Sequence, residues 1–229
     1  MNSGKLIVFE GADGSGKTTQ SKLLLNYLRK HKVPSAYISF PRYEESLWGE
    51  MVKRYLLGDF GKVYEVHPYL ASLAYAGDRM AAASTIRNWI TDGKIVVCNR
   101  YIGSNMAHMG AKISSQSEKS KYIEWLEKLE YKENGIPKED LVIFLSVPVE
   151  VSRKLMKDRK LDIHENDLEY LEKVVGVYEE LARTRENWVR VDCTRDGEIL
   201  DPQEIHKKVL EVLRKRNILR ISRGSRLTL

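Results

Sequence analysis

Residues 11–18 read Gly11-Ala12-Asp13-Gly14-Ser15-Gly16-Lys17-Thr18, which fits the pattern G-x-x-x-x-G-K-[ST]. The apolar run 6–9 directly precedes this stretch, and an amphipathic segment, 21–28, follows it. A strand, a glycine-rich loop and a helix in this order are typical of a phosphate-binding loop, whose backbone N–H groups surround a polyphosphate. The pattern therefore predicts a nucleoside triphosphate site; the alternative is a glycine-rich turn before an ordinary helix.

Two side chains of the loop carry specific chemistry. Lys17 is expected to bring a mobile positive charge to the β- and γ-phosphates. Thr18 is expected to offer its hydroxyl to Mg²⁺. The predicted triphosphate-binding residues are the whole loop and the next residue: Gly11, Ala12, Asp13, Gly14, Ser15, Gly16, Lys17, Thr18 and Thr19.

Length and composition limit the possible architectures. The chain has 229 residues, of which 42% are hydrophobic and 31% charged, which suits one α/β domain with a sizeable core. No apolar run approaches the roughly 20 residues that span a membrane. The first residues lead directly into the first predicted strand, so we expect no signal peptide. Cys98 and Cys193 lack metal-ligand spacing and are expected to be reduced thiols of a cytoplasmic protein.

The net charge of +6 has one source. Residues 214–229 contain six basic residues and no acid, and the other 32 basic residues equal the 32 acidic ones. A nucleic-acid-binding fold would carry its basic excess on the body, so no nucleic-acid partner is expected. We therefore predict a single domain over 1–213 and a basic C-terminal tail over 214–229. The tail is expected to be solvated, and the alternative is a docking segment for an acidic partner.

Apolar runs and helical periodicity alternate along the chain. The runs predict strands at 5–10, 35–39, 94–98, 141–147 and 188–192. The periodicity predicts helices at 17–32, 46–57, 68–91, 103–110, 119–131, 149–158, 166–185 and 202–217. Because the strands are continuously apolar, both faces must be covered, which indicates a five-stranded parallel sheet between helices. About 50 residues separate the second and third strands, enough for a helical substrate-binding insert.

The remaining motifs favour a small kinase among proteins with this loop. The Asn-Lys-x-Asp element of GTPases is absent, and the third strand ends at Asn99 rather than at the acid of motor ATPases. Arg42 and Arg100 follow strands, and the carboxyl ends of parallel strands meet at one edge, so both should lie near the loop. Arg79 lies in the insert. The alternative for each arginine alone is an ordinary surface residue.

Several segments together resemble the thymidylate kinases, which phosphorylate dTMP to dTDP. The resemblance covers about residues 4–213, with the motifs in the family's order. It rests on Phe9-Glu10 and the loop as far as Gln20, Phe40-Pro41-Arg42, Tyr75-Ala76-Gly77-Asp78-Arg79, Asn99-Arg100-Tyr101 with Ser104-Asn105, Gly110-Ala111-Lys112, Pro137 with Asp140-Leu141-Val142, and Asp162-Ile163-His164-Glu165. It implies a nucleoside-monophosphate kinase fold with a short basic lid. It also implies ATP and Mg²⁺ as cofactors, dTMP as acceptor and a homodimer formed through helices.

The resemblance also implies roles around the sugar and phosphate of dTMP. Asp13 would accept a hydrogen bond from the 3′-hydroxyl; its alternative role is an Asx turn that caps the loop. Arg42 and Arg100 would clamp the monophosphate, a geometry that suits guanidinium groups better than ammonium groups. Ser104 belongs to the same acceptor set. Lys17 and Arg100 would stabilise the transferring phosphoryl group.

Three further residues are implied around the base. Tyr75 would stack on the thymine, Arg79 would donate to its O4, and Asn105 would face N3. The alternative for Tyr75 is a core aromatic on a helix, and the alternative for Arg79 is a solvated charge.

A basic cluster just beyond the fourth strand corresponds to the lid of the family. Gly14 stands where some relatives carry a loop arginine, so the transition-state cation is expected from the lid, with Arg159 as our choice. Arg153 is the candidate for a contact with adenine. The alternative is a solvated helix face. Ile163 replaces an arginine that is common in the family.

Two other departures concern the active site itself. Asn99 replaces an aspartate, and Glu10 could supply the missing carboxylate near Thr18 and the metal. His108-Met109 replaces a Tyr-Gln pair, and His108 is interpreted as a packed helix residue rather than a catalytic base. Two other functions stay open: a phosphate-loop kinase for another deoxynucleoside or nucleoside monophosphate, and a catalytically weak regulatory relative.

Overall fold

A computed structural model describes residues 4–155, 164 and 167–219 of the chain. Five parallel strands form one sheet in the order β2-β3-β1-β4-β5. Their bounds are β1 Lys5–Glu10, β2 Ser35–Ser39, β3 Ile95–Asn99, β4 Leu141–Ser146 and β5 Trp188–Asp192. The predicted α/β fold with a five-stranded parallel sheet is confirmed.

The helices cover both faces of this sheet. Among the described residues they are α1 Lys17–Lys30, α2 Leu47–Leu57, α3 Pro68–Thr91, α4 Ile102–Gly110, α5 Gln116–Glu127, α6 Val149–Leu155, α7 Leu168–Thr184 and α8 Pro202–Lys215. None of the helices in these ranges has the length and apolar character needed to cross a membrane.

Alternating residues of β1 belong to two separate cores. Leu6 and Val8 pack into one cluster with residues of α3, α4 and α7. Ile7 and Phe9 pack into the other, with residues of α1 and α8. All four side chains are fully buried. A continuous apolar run therefore satisfies the period-two geometry of a strand because both faces are covered.

The structure adds three features that the sequence patterns did not predict. A small antiparallel hairpin, β6 Thr194–Arg195 and β7 Glu198–Ile199, follows β5. The helix predicted at 119–131 begins earlier, because the Ser115 hydroxyl accepts a hydrogen bond from the N–H of Glu118 and caps α5. Beyond Glu127 the helix widens into a π-helical turn, Lys128–Glu133.

Strand register brings the chemically distinctive residues to one edge. Phe9 of β1 and Ser39 of β2 both pair with Asn99 of β3. The loop after β1 and the residues after β2 and β3 therefore leave the sheet side by side, as expected for the ligand-binding edge of a parallel sheet.

The predicted division after residue 213 falls inside α8, which ends at Lys215. Ile218 and Leu219 are partly buried against the core cluster that contains Phe9. Packing thus continues past the proposed boundary, and the division into a domain and a tail stays a prediction.

We expect a chain that ends at Leu213 to unfold roughly 3–6 °C below one that ends at Leu219, because it loses about 1–2 kcal/mol of apolar burial. Thermal unfolding of the two chains checks this. Serine at both positions 218 and 219 of the longer chain should reproduce the loss. Equal melting temperatures would show that these contacts do not contribute.

Candidate active site

The loop between β1 and α1 depends on glycine. Gly11, Gly14 and Gly16 have φ angles of 148°, 75° and 84°. A Cβ atom on Gly11 would lie 2.7 Å from the backbone oxygen of Leu145, so a side chain would meet rigid backbone there. The positive φ angles let the loop turn sharply before α1 begins at Lys17. The result is a helix N-terminus behind a glycine-rich turn, the geometry that binds phosphate.

Lys17 folds back over this loop. Its ammonium group donates to the backbone oxygen of Ala12 at 2.7 Å and to Ser15 Oγ at 3.4 Å. The side chain is only 6% exposed, so its charge is held inside the turn rather than in solvent. The first turn of α1 contains no acidic residue that would neutralise it. The arrangement therefore presents a positive charge and helix N–H groups to an anion.

Asn99 connects the ends of β2 and β3 to the first turn of α1. Its Nδ2 donates to Thr18 Oγ1 at 3.2 Å and to Ser39 Oγ at 3.0 Å. Its Oδ1 is buried and has no hydrogen-bond partner among the described residues. A buried amide oxygen next to a threonine hydroxyl is an arrangement that a metal-bound water could complete.

Glu10 has a different position from the one its predicted metal role requires. Its Oε1 accepts from the backbone N–H of Tyr101 at 2.7 Å and of Ser104 at 3.0 Å. Its Oε2 accepts from Ser104 Oγ at 2.7 Å and from the Tyr178 hydroxyl at 3.1 Å. Burial raises the pKa of this carboxyl, and the hydrogen bond from Ser104 and the charge of Arg100 oppose the rise.

These four donors fill the lone-pair sites of the carboxylate, so its contacts argue against Glu10 as a metal ligand. Its observed role is to hold the N-terminus of α4 against the end of β1. Among the described residues, no group of three His, Cys, Asp or Glu side chains could hold a metal ion.

Asp13 and Arg100 form an ion pair beside the loop. Arg100 has a positive φ of 64°, its backbone N–H donates to the Phe9 oxygen at 3.0 Å, and its Nη1 approaches Ser104 Oγ at 3.4 Å. Although burial acts in the opposite direction, the charges of Arg100 and Lys17 hold the pKa of Asp13 well below its usual value. The predicted convergence of Arg100 with the loop is therefore observed.

Arg42 is held by α3. Its Nε donates to Asp78 Oδ1 at 3.0 Å, its Nη2 to the Asp78 backbone oxygen at 2.9 Å, and its backbone N–H to Asp78 Oδ2 at 2.7 Å. Ser46 Oγ adds a hydrogen bond of 2.7 Å to the same carboxylate. Asp78 is 1% exposed, so it is a buried anchor whose role the sequence analysis missed. An acid in an alanine-rich helix next to a predicted site arginine was the available signal.

A cavity of about 290 Å³ opens next to the loop. Six of the seven predicted acceptor residues line it: Asp13, Tyr75, Arg79, Arg100, Ser104 and Asn105. Arg42 does not line it, but the neighbours Pro41 and Tyr43 do. Because Asp13 belongs both to the loop and to the cavity wall, the two candidate sites are adjacent.

The three residues predicted to surround the thymine base lie on α3 and α4. Arg79 is 1% exposed, so the alternative of a solvated charge is wrong. Tyr75 packs against the core and also lines the cavity, and its stacking on the base stays a prediction. Asn105 is also buried, and its Nδ2 approaches the Ser72 backbone oxygen at 3.4 Å.

Two histidines also line the cavity, and the sequence analysis gave neither a site role. The rings of His108 and His164 stack with centroids 5.5 Å apart. Tyr55 and His164 Nε2 form a hydrogen bond of 2.9 Å, and Tyr170 donates to the His108 backbone oxygen at 2.8 Å. Burial lowers the pKa of His108 to about 4 and that of His164 well below its usual value. Both rings are therefore neutral near pH 7, and His108 is packed as predicted.

The lid predictions are only partly covered by the structure. Arg153 lies on α6. Arg159 and Ile163 lie outside the described residues. The roles of Arg153 and Arg159 therefore stay predictions.

The sheet, the phosphate loop and the adjoining cavity with its arginines define a phosphotransferase of the nucleoside-monophosphate kinase class. The family model described as thymidylate kinase matches residues 9–217. The chain therefore belongs to the thymidylate kinase family.

Individual relatives agree over nearly the whole chain. A thymidylate kinase of Plasmodium falciparum is 29% identical over 213 residues, which are 93% of this chain and 90% of that protein. One from Fervidobacterium nodosum is 30% identical over 208 residues, 90% of this chain and 96% of that protein. The solved structure of Candida albicans thymidylate kinase has the same fold, with a TM-score of 0.75 and 23% identity, and the match covers 94% of this chain and 93% of that one.

Proposed function

We propose that the protein transfers the γ-phosphoryl group of ATP to dTMP and releases dTDP and ADP. The observation that carries this proposal is the position of Asp13, which belongs to the phosphate loop, lines the cavity and pairs with Arg100. A triphosphate on the loop and a monophosphate in the cavity would therefore be neighbours. The match to the thymidylate kinase family and the relatives described as thymidylate kinases support dTMP as the acceptor.

Each residue would act by position and charge. Lys17 and the N-terminus of α1 would bind the β- and γ-phosphates, and Arg100 and Arg42 would hold the acceptor phosphate. Asp13 would accept from the 3′-hydroxyl, while Tyr75, Arg79 and Asn105 would enclose the base. No general base is required, because a phosphate monoester is largely ionised at neutral pH.

We expect Lys17→Ala to lower turnover by a factor of order 10³, because a main cation on the transferring phosphoryl group is lost. Lys30→Ala, in the exposed last turn of the same helix, is the matched control and should keep normal turnover. A coupled assay of ADP release with dTMP measures both. A folded Lys17→Ala protein with near-normal turnover would contradict the phosphate-loop assignment.

Mg²⁺ is part of the proposal. Thr18 would hold it, and the unpartnered Oδ1 of Asn99 is suited to accept from a metal-bound water. When bound, the ion neutralises charge on the β- and γ-phosphates. An oxygen-rich, partly unsatisfied site of this kind fits a hard cation that keeps much of its water.

Asn99→Asp should lower the Mg²⁺ concentration for half-maximal activity several-fold and keep turnover, since a carboxylate replaces a neutral amide beside the ion. Asn88→Asp, on the exposed side of α3, controls for the added charge. Steady-state kinetics with Mg²⁺, ATP and dTMP varied separately provide the measurement. A several-fold higher KM for dTMP with no gain in turnover would mean that the new charge repels the acceptor.

The proposed assembly is a homodimer through α2 and α3. Leu70, Leu73 and Met80 share one face of α3 and are 65%, 42% and 43% exposed. A Cβ atom on Gly77 would lie 2.3 Å from Trp48 Cδ2, so the Trp48 ring of α2 packs directly against α3 at Gly77. Exposed apolar side chains that gather on one surface are a feature of protein–protein interaction sites.

Light scattering after gel filtration should give twice the 26.4 kDa chain mass for the wild type and a single chain mass for Leu73→Glu. The new carboxylate would be buried in the interface without water or a partner, which disfavours the dimer. Leu57→Glu is the control, because Leu57 is 64% exposed and lies nine residues from Trp48, on the opposite side of α2. A dimeric Leu73→Glu protein would move the interface elsewhere.

We also propose a cytoplasmic location. Cys98 and Cys193 are both free and buried, which suits a reducing compartment.

A further inference from the structure

The guanidinium group of Arg79 has a buried partner on another helix. Its Nε donates to Glu130 Oε1 at 2.9 Å, and its Nη2 donates to the same oxygen. Its Nη1 approaches the backbone oxygen of Tyr101 at 3.3 Å. Glu130 is fully buried and Arg79 is 1% exposed. The pair is therefore shielded from water on the side away from the cavity.

Glu130 reaches this position from an unusual backbone. It lies in the π-helical turn Lys128–Glu133 that follows α5. Such a turn holds one more residue than an α-helical turn, so it changes the direction in which the following side chains project. At its end, the N–H of Asn134 donates to the Leu129 backbone oxygen at 2.8 Å and the N–H of Ile136 to the Glu130 backbone oxygen at 3.1 Å. π-Helical turns are rare and are found often at functional sites.

The pair is a poor arrangement for stability alone. Glu130 Oε2 is buried and has no hydrogen-bond partner among the described residues. A buried ion pair with incomplete hydrogen bonding is commonly no more stable than apolar residues of the same volume. The arrangement therefore calls for a role other than stabilising the fold.

The geometry of Arg79 suggests that role. A guanidinium group has five N–H donors, and the three hydrogen bonds above use three of them. Two donors, one on each Nη atom, have no partner among the described residues, and Arg79 lines the cavity whereas Glu130 does not. Glu130 thus occupies the Nε and Nη2 edge of the guanidinium group and leaves two N–H donors of a side chain that lines the cavity. Glu130 also neutralises the charge of Arg79. The free N–H donors of Arg79 can therefore bind a neutral acceptor atom, and Arg79 does not compete with Arg100 for the acceptor phosphate.

We propose that Glu130 is a positioning residue that fixes Arg79 to select acceptors with a carbonyl group on this edge of the base. The inference rests on the proposed function. In the proposed function Arg79 donates to the 4-carbonyl of dTMP, and the new element is that Glu130 makes this contact selective against a 4-amino group, such as that of dCMP. An amino group would place N–H donors against N–H donors, and a binding site rejects such a mismatch strongly.

A double-mutant cycle tests this with Glu130→Leu, Arg79→Met and the double variant, together with Glu130→Gln, which keeps one oxygen acceptor. The matched control is Glu139→Gln. Glu139 is also buried and accepts from Tyr131 of the same π-helical turn, but it makes no contact with Arg79 among the described hydrogen bonds. The measurements are kcat and KM for dTMP, dCMP and ATP, with thermal unfolding as a check of the fold.

We expect Glu130→Leu to raise the KM for dTMP about tenfold and to lower the preference for dTMP over dCMP by a similar factor. The kcat and the KM for ATP should change less than about twofold. Glu130→Gln should be intermediate. In the Arg79→Met background, Glu130→Leu should have no further effect on selectivity, because Glu130 acts through Arg79.

Several results would overturn the proposal. These are unchanged selectivity in Glu130→Gln and Glu130→Leu, additive effects in the double variant, or an equal loss with Glu139→Gln. Glu130→Leu leaves a buried guanidinium group unpaired. If that variant does not fold, the selectivities of Glu130→Gln and of the double variant decide whether the proposal holds. A wild type that phosphorylates no pyrimidine monophosphate refutes the proposed function instead, and the same cycle on whichever acceptor it uses then tests positioning by Glu130 separately.

Discussion

The buried carboxylate of Glu10 connects the parts of the site. It stands at the end of the central strand and accepts hydrogen bonds from two backbone N–H groups of the β3–α4 segment and from the hydroxyls of Ser104 and Tyr178. Through these contacts α4 begins at a fixed place beside the phosphate loop. Arg100, one residue before the first of these N–H groups, is therefore directed toward the loop and toward Asp13. Without this carboxylate, the buried N–H group of Tyr101 would lose its partner.

The three site arginines follow a common principle of charge compensation. Arg42 pairs with Asp78, Arg79 with Glu130, and Arg100 with Asp13. Guanidinium groups that line one cavity or lie next to it would repel one another in a medium less polar than water. A carboxylate partner offsets this repulsion and fixes the orientation of each fork before any substrate binds. Such preorganisation is the usual way in which an enzyme reduces the reorganisation needed during reaction.

The sequence predicted residues better than it predicted partners. The loop and Arg100 followed from local patterns at the ends of strands, whereas Tyr75 and Asn105 came only from the resemblance to the family. The ion-pair partners of Arg42 and Arg79 were not recognised, since 36 residues separate Arg42 from Asp78 and 51 separate Arg79 from Glu130. Glu10 shows how contacts in space change an expectation drawn from position in the sequence. A carboxylate next to a phosphate loop suggested a metal, but its neighbours in space are N–H and O–H donors.

The sequence by itself determined the parallel sheet, the phosphate loop and the order of the helices, because continuous apolar runs, glycines and helical spacing act over a few residues. It did not determine the π-helical turn that presents Glu130 or the hairpin after β5. Only the tertiary structure decided which acid neutralises which arginine and which histidines stay uncharged. Those outcomes depend on burial and on distances between side chains far apart in the chain, and periodicity carries no information about either.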